Sequence, residues 1–290
     1  MSKKAIVIDG NSLIYRVFYA TYQQLDYYKK NNLPPANAIR LVASIILKLL
    51  NENQYDYALF ALDSHKKTFR TEQFEDYKAG RKPMPEELLS QLEDIKNIVS
   101  AIGLNIEAIP GIEADDIIGS YCKIMNDSDI DVTIFTSDRD MLQLVSPKTS
   151  VSFFVKGISV RDLYTEQNFC QKFMGLKPCQ IPDFKGISGD SSDNLTGVKG
   201  IGPKTAVSLL QKYGSLDDIY NHINDLNETQ AKKFNECKDH AKLCKSLATI
   251  RLDILNNRSI NEFLTKNFNV EEFEKIITYY KLDSLRNLLK

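Results

Sequence analysis

Short apolar runs alternate along the chain with longer stretches in which apolar residues recur every three or four positions. Residues 5–9 (Ala-Ile-Val-Ile-Asp), 57–63, 104–109, 131–137 and 151–155 read as strands, the first buried on both faces. Between them the periodicity predicts helices over 11–22, capped by Asn11 or Ser12, then over 37–50, 85–102 and 113–125. Strands that alternate with helices predict an α/β fold, a parallel-sheet core with helices on both faces. From about residue 178 the strand signals fade, and 205–213, 217–223, 228–250 and 270–289 read as helices. The expected organisation is an α/β domain over 1–178 and a helical region over 179–290. No Gly/Ser linker separates them, so the two parts should pack together.

Composition narrows the class. With 43% hydrophobic and 26% charged residues in 290, the chain is neither disordered nor fibrous. A balance of 37 basic and 38 acidic side chains excludes a protein-wide basic field and leaves local patches open. Five cysteines without a C-x-x-C pair suit reduced thiols, and three scattered histidines make no zinc cluster. Any metal here would be a hard cation held by oxygen. Met1 leads straight into the first strand, and no apolar run approaches the roughly 20 residues of a membrane span. The expectation is a cytoplasmic protein with no membrane partner.

The acids are not scattered. Asp9, Asp63 and Asp138 each end a predicted strand, the edge of an open parallel sheet where ligands bind. Any one of them alone reads as a turn or cap residue; three together weaken that reading. Glu113, Asp115 and Asp116 crowd one helical first turn, Asp140 follows Asp138 by two, and Asp190 and Asp193 precede a glycine-rich segment. If these nine groups converge, their repulsion demands cations, and Mg²⁺ is the natural one. Two such ions about 4 Å apart serve phosphoryl transfer.

Two further segments point to nucleic acid. Gly197-Val-Lys-Gly-Ile-Gly-Pro-Lys-Thr-Ala206 resembles a helix-hairpin-helix, in which Gly200 and Gly202 let the backbone approach a phosphate beside Lys204. Its bland alternative is a tight inter-helix turn. Between 64 and 85, His65, Lys66, Lys67, Arg70, Lys78, Arg81 and Lys82 interleave with Phe69, Phe74 and Tyr77. Lys78 and Arg81 share a helical face at i,i+3 and could grip a phosphate, while Phe74 and Tyr77 could stack on bases. The bland alternative there is a solvated amphipathic helix.

Ile8-Asp-Gly-Asn-Ser-Leu-Ile-Tyr-Arg-Val-Phe-Tyr-Ala20, Thr68-Phe-Arg70, Tyr77-Lys-Ala-Gly-Arg81, Gly111-Ile-Glu-Ala-Asp-Asp116, Thr136-Ser-Asp-Arg-Asp-Met-Leu-Gln-Leu144, the stretch 189–206 and Ser246-Leu-Ala-Thr-Ile-Arg-Leu-Asp253 resemble, in order, the blocks of the 5′-nuclease family. The likeness is greatest to the 5′-3′ exonuclease domain of bacterial DNA polymerase I, and flap endonucleases are more distant. It implies Asp9, Asp63, Glu113 and Asp115 around one Mg²⁺ or Mn²⁺ ion and Asp138, Asp140, Asp190 and Asp193 around a second, with Asp116 supporting. It implies that Lys78 and Arg81 act at the scissile phosphate, with Asp115 bridging the ions. Arg16, Arg70 and Tyr77 would contact DNA, Tyr77 from a helical arch over about 64–85, and Gly200, Gly202 and Lys204 would grip the duplex, with K⁺ at the hairpin. The implied activity is structure-specific 5′-3′ exonuclease and flap-endonuclease cleavage of DNA, RNA primers and RNA–DNA hybrids included, in replication and repair. The expectation is a nucleoid-associated monomer with no polymerase attached. Thr71, Thr196 and Lys199 depart from the pattern, standing where His, Pro and Pro are usual. Two rivals differ in class: a PIN-type RNA nuclease, which would not need the hairpin, and a non-catalytic DNA-junction-binding protein, which would not need the acids.

Overall fold

A computed structural model describes residues 3–64, 66–156 and 160–289. Its centre is a six-stranded sheet. β1 (Lys4–Asp9) and β2 (Tyr57–Ala61) are buried almost throughout, as their unbroken apolar runs require. Between them lie α1 (Gly10–Ala20), a short α2 (Leu25–Lys30) and α3 (Asn37–Glu52). The helix expected to start at Asn11 or Ser12 is capped instead by Asp9, whose Oδ1 accepts from the Ser12 N–H at 3.0 Å. After β2 come α4 (Phe69–Gln73), α5 (Glu86–Leu89), α6 (Leu92–Ile102) and β3 (Asn105–Glu107). The single helix read over 85–102 is thus broken before Leu92. Gln91 is buried at the break, and its Oε1 accepts from the Ala38 and Ile39 N–H groups while its Nε2 donates to Asn37. One side chain caps α3, which carries no cap of its own.

α7 (Ala114–Asp127) leads to β4 (Asp131–Thr136), a 3-10 turn over Arg139–Leu144, and β5 (Thr149–Lys156). β6 (Val160–Tyr164), absent from the sequence reading, pairs antiparallel with β5. It closes the edge with a short strand that carries the charged, partly exposed Arg161 and Asp162. The strand order is β3-β2-β1-β4-β5-β6, and all pairs but the last are parallel. The chain winds outward from β1 through β2 and β3, then resumes on the other side of β1 with β4. That reversal opens a crevice at the carboxyl ends of β1 and β4.

α8 (Glu166–Lys172), α9 (Ile181–Ser188), α10 (Pro203–Tyr213), α11 (Leu216–Asn221), α12 (Glu228–Glu236) and α13 (Lys238–Ala248) follow. The helix read over 228–250 divides at Cys237, which closes α12 and opens α13. Leu176, Ile187, Ala206, Leu210, Ile219 and Phe234 form their own small core. The last 40 residues do not stay with it. Ile250, Leu255 and Phe263 join the core on one face of the sheet; Phe273, Ile276 and Ile277 of α14 (Val270–Tyr279) join the other. Backbone bonds from Thr265 to Asp56 (2.9 Å) and from Lys266 to Gly103 (2.8 Å) fix the return. A Cβ on Gly103, at φ +111°, would lie 2.4 Å from the Lys266 carbonyl oxygen, so only glycine fits under that crossing. Among the described residues no helix is long and apolar enough to cross a membrane.

Candidate metal centre and nucleic-acid cleft

Three of the acids are brought together by strand register. Asp9 ends β1 opposite Ala61, two residues before Asp63, and Ile8 lies opposite Phe135, three residues before Asp138. Each carboxylate or its neighbour is fixed by a short bond. Thr136 Oγ1 donates to Asp9 Oδ2 at 2.7 Å and accepts from the Asp138 N–H at 2.8 Å. Asp63 Oδ1 accepts from the Ala114 N–H at 2.8 Å, joining β2 to the start of α7. Asn11 and Ser12, freed from capping, accept from the Asp63 and Ser137 N–H groups at 2.8 and 2.9 Å.

These groups border a cleft of about 1000 Å³. Six acids line it, Asp9, Asp63, Asp115, Asp138, Asp140 and Asp190, against four cations, Lys78, Arg81, Arg139 and Lys185. Burial, then Asp138, pushes the Asp9 carboxyl up to about 7, although Thr136 and Ser12 donate to it. Burial also lifts Asp140 to about 7 against the pull of Lys185, and it raises Asp63. Asp115 is pushed well above the carboxylate range by burial and by Asp138, with Lys78 opposing. Desolvated like charges of this kind favour cation binding or protonation. The donors are all carboxylate oxygens, a set that suits a hard divalent ion. Oxygens of Asp140, Asp190 and Asp193 lie within 4.8 Å of one another, a grouping that could hold a metal. The ammonium of Lys185 already sits there, bonded to Asp140 and 2.5 Å from Asp190 Oδ2.

Lys185 was not among the sequence candidates. Its signal was a lysine among the apolar residues of α9, Ile181, Phe184 and Ile187, because a lysine buried there must be paired. Thr136, which orients Asp9 and the Asp138 backbone together, was also missed, since a threonine ending a strand carries no sign of what it will meet.

Four expected site residues take other positions. Asp116 does not line the cleft: it is fully buried on the far side of the α7 start, in a bidentate pair with Arg70 at 2.7 and 2.8 Å, and its Oδ1 accepts from the Arg251 N–H. Arg70, expected on DNA, is 2% exposed and also donates to the Leu247 and Thr249 carbonyls. Glu113 faces a basic wall, with Lys78 Nζ at 2.8 Å and Arg70 at 3.5 Å, and Thr68 Oγ1 donates to it at 3.1 Å. Burial raises its carboxyl, but Lys78 and Arg70 outweigh that and hold it below the usual range. Tyr77, expected to stack on bases, is buried, its hydroxyl 3.3 Å from Glu113 and 3.4 Å from Asp193.

The segment expected as an arch holds one five-residue helix, α4, and then turns over 75–80. Lys78 and Arg81 therefore do not share a helical face. Lys78 has φ +57°, unusual for a lysine, and its N–H donates to the Asp193 carbonyl. Arg81, half exposed, reaches Asp193 Oδ1 at 2.9 Å. Both cations still point to the cleft, held by backbone turns and acids in place of helical spacing. Thr71 bonds back to Thr68 in a capping box for α4. His65 lies outside the described residues. Arg16 donates to Ser137 Oγ at 3.3 Å and to the Val155 carbonyl at 3.0 Å, beside the cleft.

The glycine-rich segment joins α9 to α10, and Leu195, Thr196 and Pro203 border the cleft. Gly197, at φ +61°, passes so close to Gly189 that a Cβ would lie 2.4 Å from the Gly189 nitrogen. Gly202 caps α10, with nothing within 4 Å of where its Cβ would be, and Lys204 is exposed in the first turn. Those positions present α10 N–H groups to the surface. In the hairpin expected to hold K⁺, the Gly200 carbonyl accepts from Lys233 Nζ at 3.0 Å. Thr196 bonds to His240 at 2.6 Å, tying the hairpin to α13.

Compared with known proteins, residues 4–174 match the 5′-3′ exonuclease N-terminal resolvase-like domain and residues 176–271 the 5′-3′ exonuclease C-terminal SAM fold. The chain belongs to the 5′-3′ exonuclease family. A 5′-3′ exonuclease of Mycoplasma genitalium is 41% identical over 283 residues, 98% of this chain and 97% of that one. DNA polymerase I of Bacillus subtilis is 36% identical over 289 residues, 99% of this chain and 32% of the polymerase. Among solved structures, zinc-bound T5 5′-exonuclease superposes with a TM-score of 0.70 at 19% identity, covering 99% of this chain and 100% of that one. The catalytic core of Rad2 in complex with a DNA substrate gives 0.64 at 16%, covering 99% and 93%. At these identities the structural likeness is one of fold, a mostly parallel sheet with helices and a C-terminal helical unit.

Proposed function

We propose that this 5′-3′ exonuclease family member is a Mg²⁺-dependent, structure-specific 5′ nuclease that hydrolyses phosphodiesters near the 5′ end or flap junction of DNA. The observation that carries the reading is the cleft itself. Six carboxylates meet at the crevice of β1, β2 and β4, between two cations held by turns on one side and the glycine hairpin on the other. Asp9, Asp63, Asp115 and Asp138 would hold one ion and Asp140, Asp190 and Asp193 a second, with Glu113 acting through Lys78. Divalent ions there supply activated water and neutralise charge on the reacting phosphate.

This chain's own side chains do the rest. Lys78 and Arg81 exchange part of their pairing with Glu113 and Asp193 for phosphate oxygens, stabilising charge that grows in the transition state. Burial lowers the affinity of Lys78 for its proton, but Asp115, Glu113 and Asp193 more than offset that, so it stays a cation. Lys185 holds Asp140 and Asp190 together, and its ammonium would have to give way for these carboxylates to hold a metal. The α10 start, with Gly200, Gly202 and Lys204, binds duplex phosphates by shape and charge, so base sequence is not read. K⁺ at the hairpin would compete with Lys233 for the Gly200 carbonyl. Hydrolysis breaks the P–O3′ bond and leaves a 5′-phosphate and a 3′-hydroxyl. The enzyme acts as a monomer on cytoplasmic, nucleoid DNA, and RNA–DNA hybrids at primers are within its substrate class.

The test is cleavage of a 5′-labelled flap duplex with Mg²⁺ by the wild type, Asp115→Ala and Lys78→Ala. A short product released at the junction, lost in the first variant and about 10²–10³-fold slower in the second, is expected. Tight binding without cleavage at any metal concentration would leave the DNA-junction-binding reading in its place.

A further inference from the structure

α1 carries Tyr15, Tyr19 and, just past its end, Tyr22 at i, i+4 and i+7, one stripe leading away from the acids. Tyr15 borders both the acidic cleft and a second groove of about 800 Å³, as do Asn11, Asp63 and Arg81, so the two are continuous. The second groove is lined by Tyr19, Met84 and Leu92, with Lys66, Lys82 and Lys96 among its borders; Asp63 is the one acid among its described lining residues. Lys96 also reaches Glu93 at 3.2 Å.

Tyr19 and Tyr22 are 58% and 50% exposed, yet their rings are held. They lie 6.4 Å apart with planes only 22° from parallel, and Tyr15 and Tyr19 are 6.5 Å apart at 23°. Buried Phe18 meets both exposed rings edge-on, at 5.4 and 5.6 Å. Exposed aromatics in near-parallel register over a fixed support, beside a basic groove, are what single-stranded nucleic acid binds. Bases stack on the rings and phosphates follow the cations.

We propose that Tyr19 and Tyr22 form a stacking platform for the 5′ single strand of the substrate beyond the point of cleavage, its phosphates following Lys66, Lys82 and Lys96. This rests on the 5′-nuclease reading above and adds the strand's path to it. Charge complementarity and continuity with the acidic cleft single out the strand as the occupant, and because every base has a π face the platform is indifferent to sequence.

The experiment measures binding of fluorescein-labelled branched duplexes that differ only in the length of the 5′ single strand, from none to eight nucleotides, in EDTA so that nothing is cut. Wild-type affinity rises as the strand lengthens. Tyr19→Ala and Tyr22→Ala each remove about 5- to 100-fold of that increment, Tyr19→Phe keeps it, and Tyr279→Ala, an exposed tyrosine on α14, keeps it too. Abasic nucleotides in the strand reduce wild-type binding to the level of the alanine variants. An increment that survives both alanine variants, or that abasic strands retain in full, overturns the platform, as does wild-type affinity independent of strand length. Cleavage of the same duplexes with Mg²⁺ by the wild type and both alanine variants separates the two ideas. Cutting without tyrosine dependence rejects the platform alone, whereas no cutting of any duplex rejects the nuclease reading beneath it.

Discussion

The Arg70–Asp116 pair decides whether Asp116 is a ligand or a structural anchor. Both side chains are buried, at 2% and 0% exposure, and the guanidinium makes two bonds to the carboxylate at 2.7 and 2.8 Å. The same guanidinium donates to the Leu247 carbonyl at 2.7 Å and the Thr249 carbonyl at 2.9 Å, so one side chain ties α4 to α7 and to the end of α13. Arg70→Met leaves a buried carboxylate without its countercharge, a loss of about 3–5 kcal/mol. For a protein of this size that lowers Tm by about 6–20 °C. Asp116→Asn leaves the arginine with Glu113 at 3.5 Å as its remaining countercharge and costs less. Combining Arg70→Met with Asp116→Leu replaces the pair by apolar groups and regains at least about 2 kcal/mol over Arg70→Met alone. Equilibrium urea unfolding followed by circular dichroism, in EDTA, gives these differences directly. The Mg²⁺ concentration for half-maximal cleavage, measured at a temperature where Asp116→Asn is folded, supplies the second readout and stays at the wild-type value. A loss below about 1 kcal/mol in Arg70→Met, or a large rise in the Mg²⁺ requirement of Asp116→Asn, would refute the anchor and restore Asp116 to the metal.

Three further outcomes follow from the same structure. Asp9 and Asp140 titrate near 7 in the fold against 3.8 when free, so the folded state holds extra protons between those values and metal-free stability falls as pH rises from about 4 toward 7. Tm against pH in EDTA should show that slope, Asp138→Asn, which removes a charge that raises both groups, should flatten it and Mg²⁺ should oppose it; a level wild-type profile would contradict the assignment. Gly197→Ala places a Cβ against the Gly189 nitrogen at a positive φ and should cost about 1–3 kcal/mol. Duplex affinity should fall with it, and an unchanged melting temperature would show that the hairpin adapts. Lys204→Ala should weaken duplex binding equally for all sequences and reduce the slope of log affinity against log salt by about 1, and an unchanged slope would remove Lys204 from the interface.

β1 and β2 were legible because each is a short, unbroken apolar run, and Asp9, Asp63 and Asp138 stood out because they follow such runs. What periodicity could not supply was partner choice. Asp9, Asn11 and Ser12 are all residues that cap helices, and only the neighbouring strands decide that Asp9 caps α1 while Asn11 and Ser12 bond outward. Helical spacing carried residues 85–102 through as one helix because nothing local marks Gln91 as the cap of α3. Lys78 and Arg81 were placed in the right cleft by the wrong geometry, since a positive φ at a lysine has no sequence signal. Asp116 sits one residue after Asp115, and a step of 100° around α7 is enough to turn it from the cleft to Arg70.

The return of residues 250–289 to the sheet sets an order of events during synthesis. Leu264 and Thr265 bond beside β2 and β3, and Phe273 and Ile277 complete a core begun by α3 and α6. At about 5–20 residues per second, the ribosome needs roughly 6–23 s to deliver that tail after residue 175 has emerged. Through that interval every acid up to Asp140 is already present, but both faces of the sheet still lack the side chains that the tail packs on them. Ribosome-arrested chains ending before residue 250 should accordingly remain open to protease across β3 and α7 and become resistant once the full chain is released.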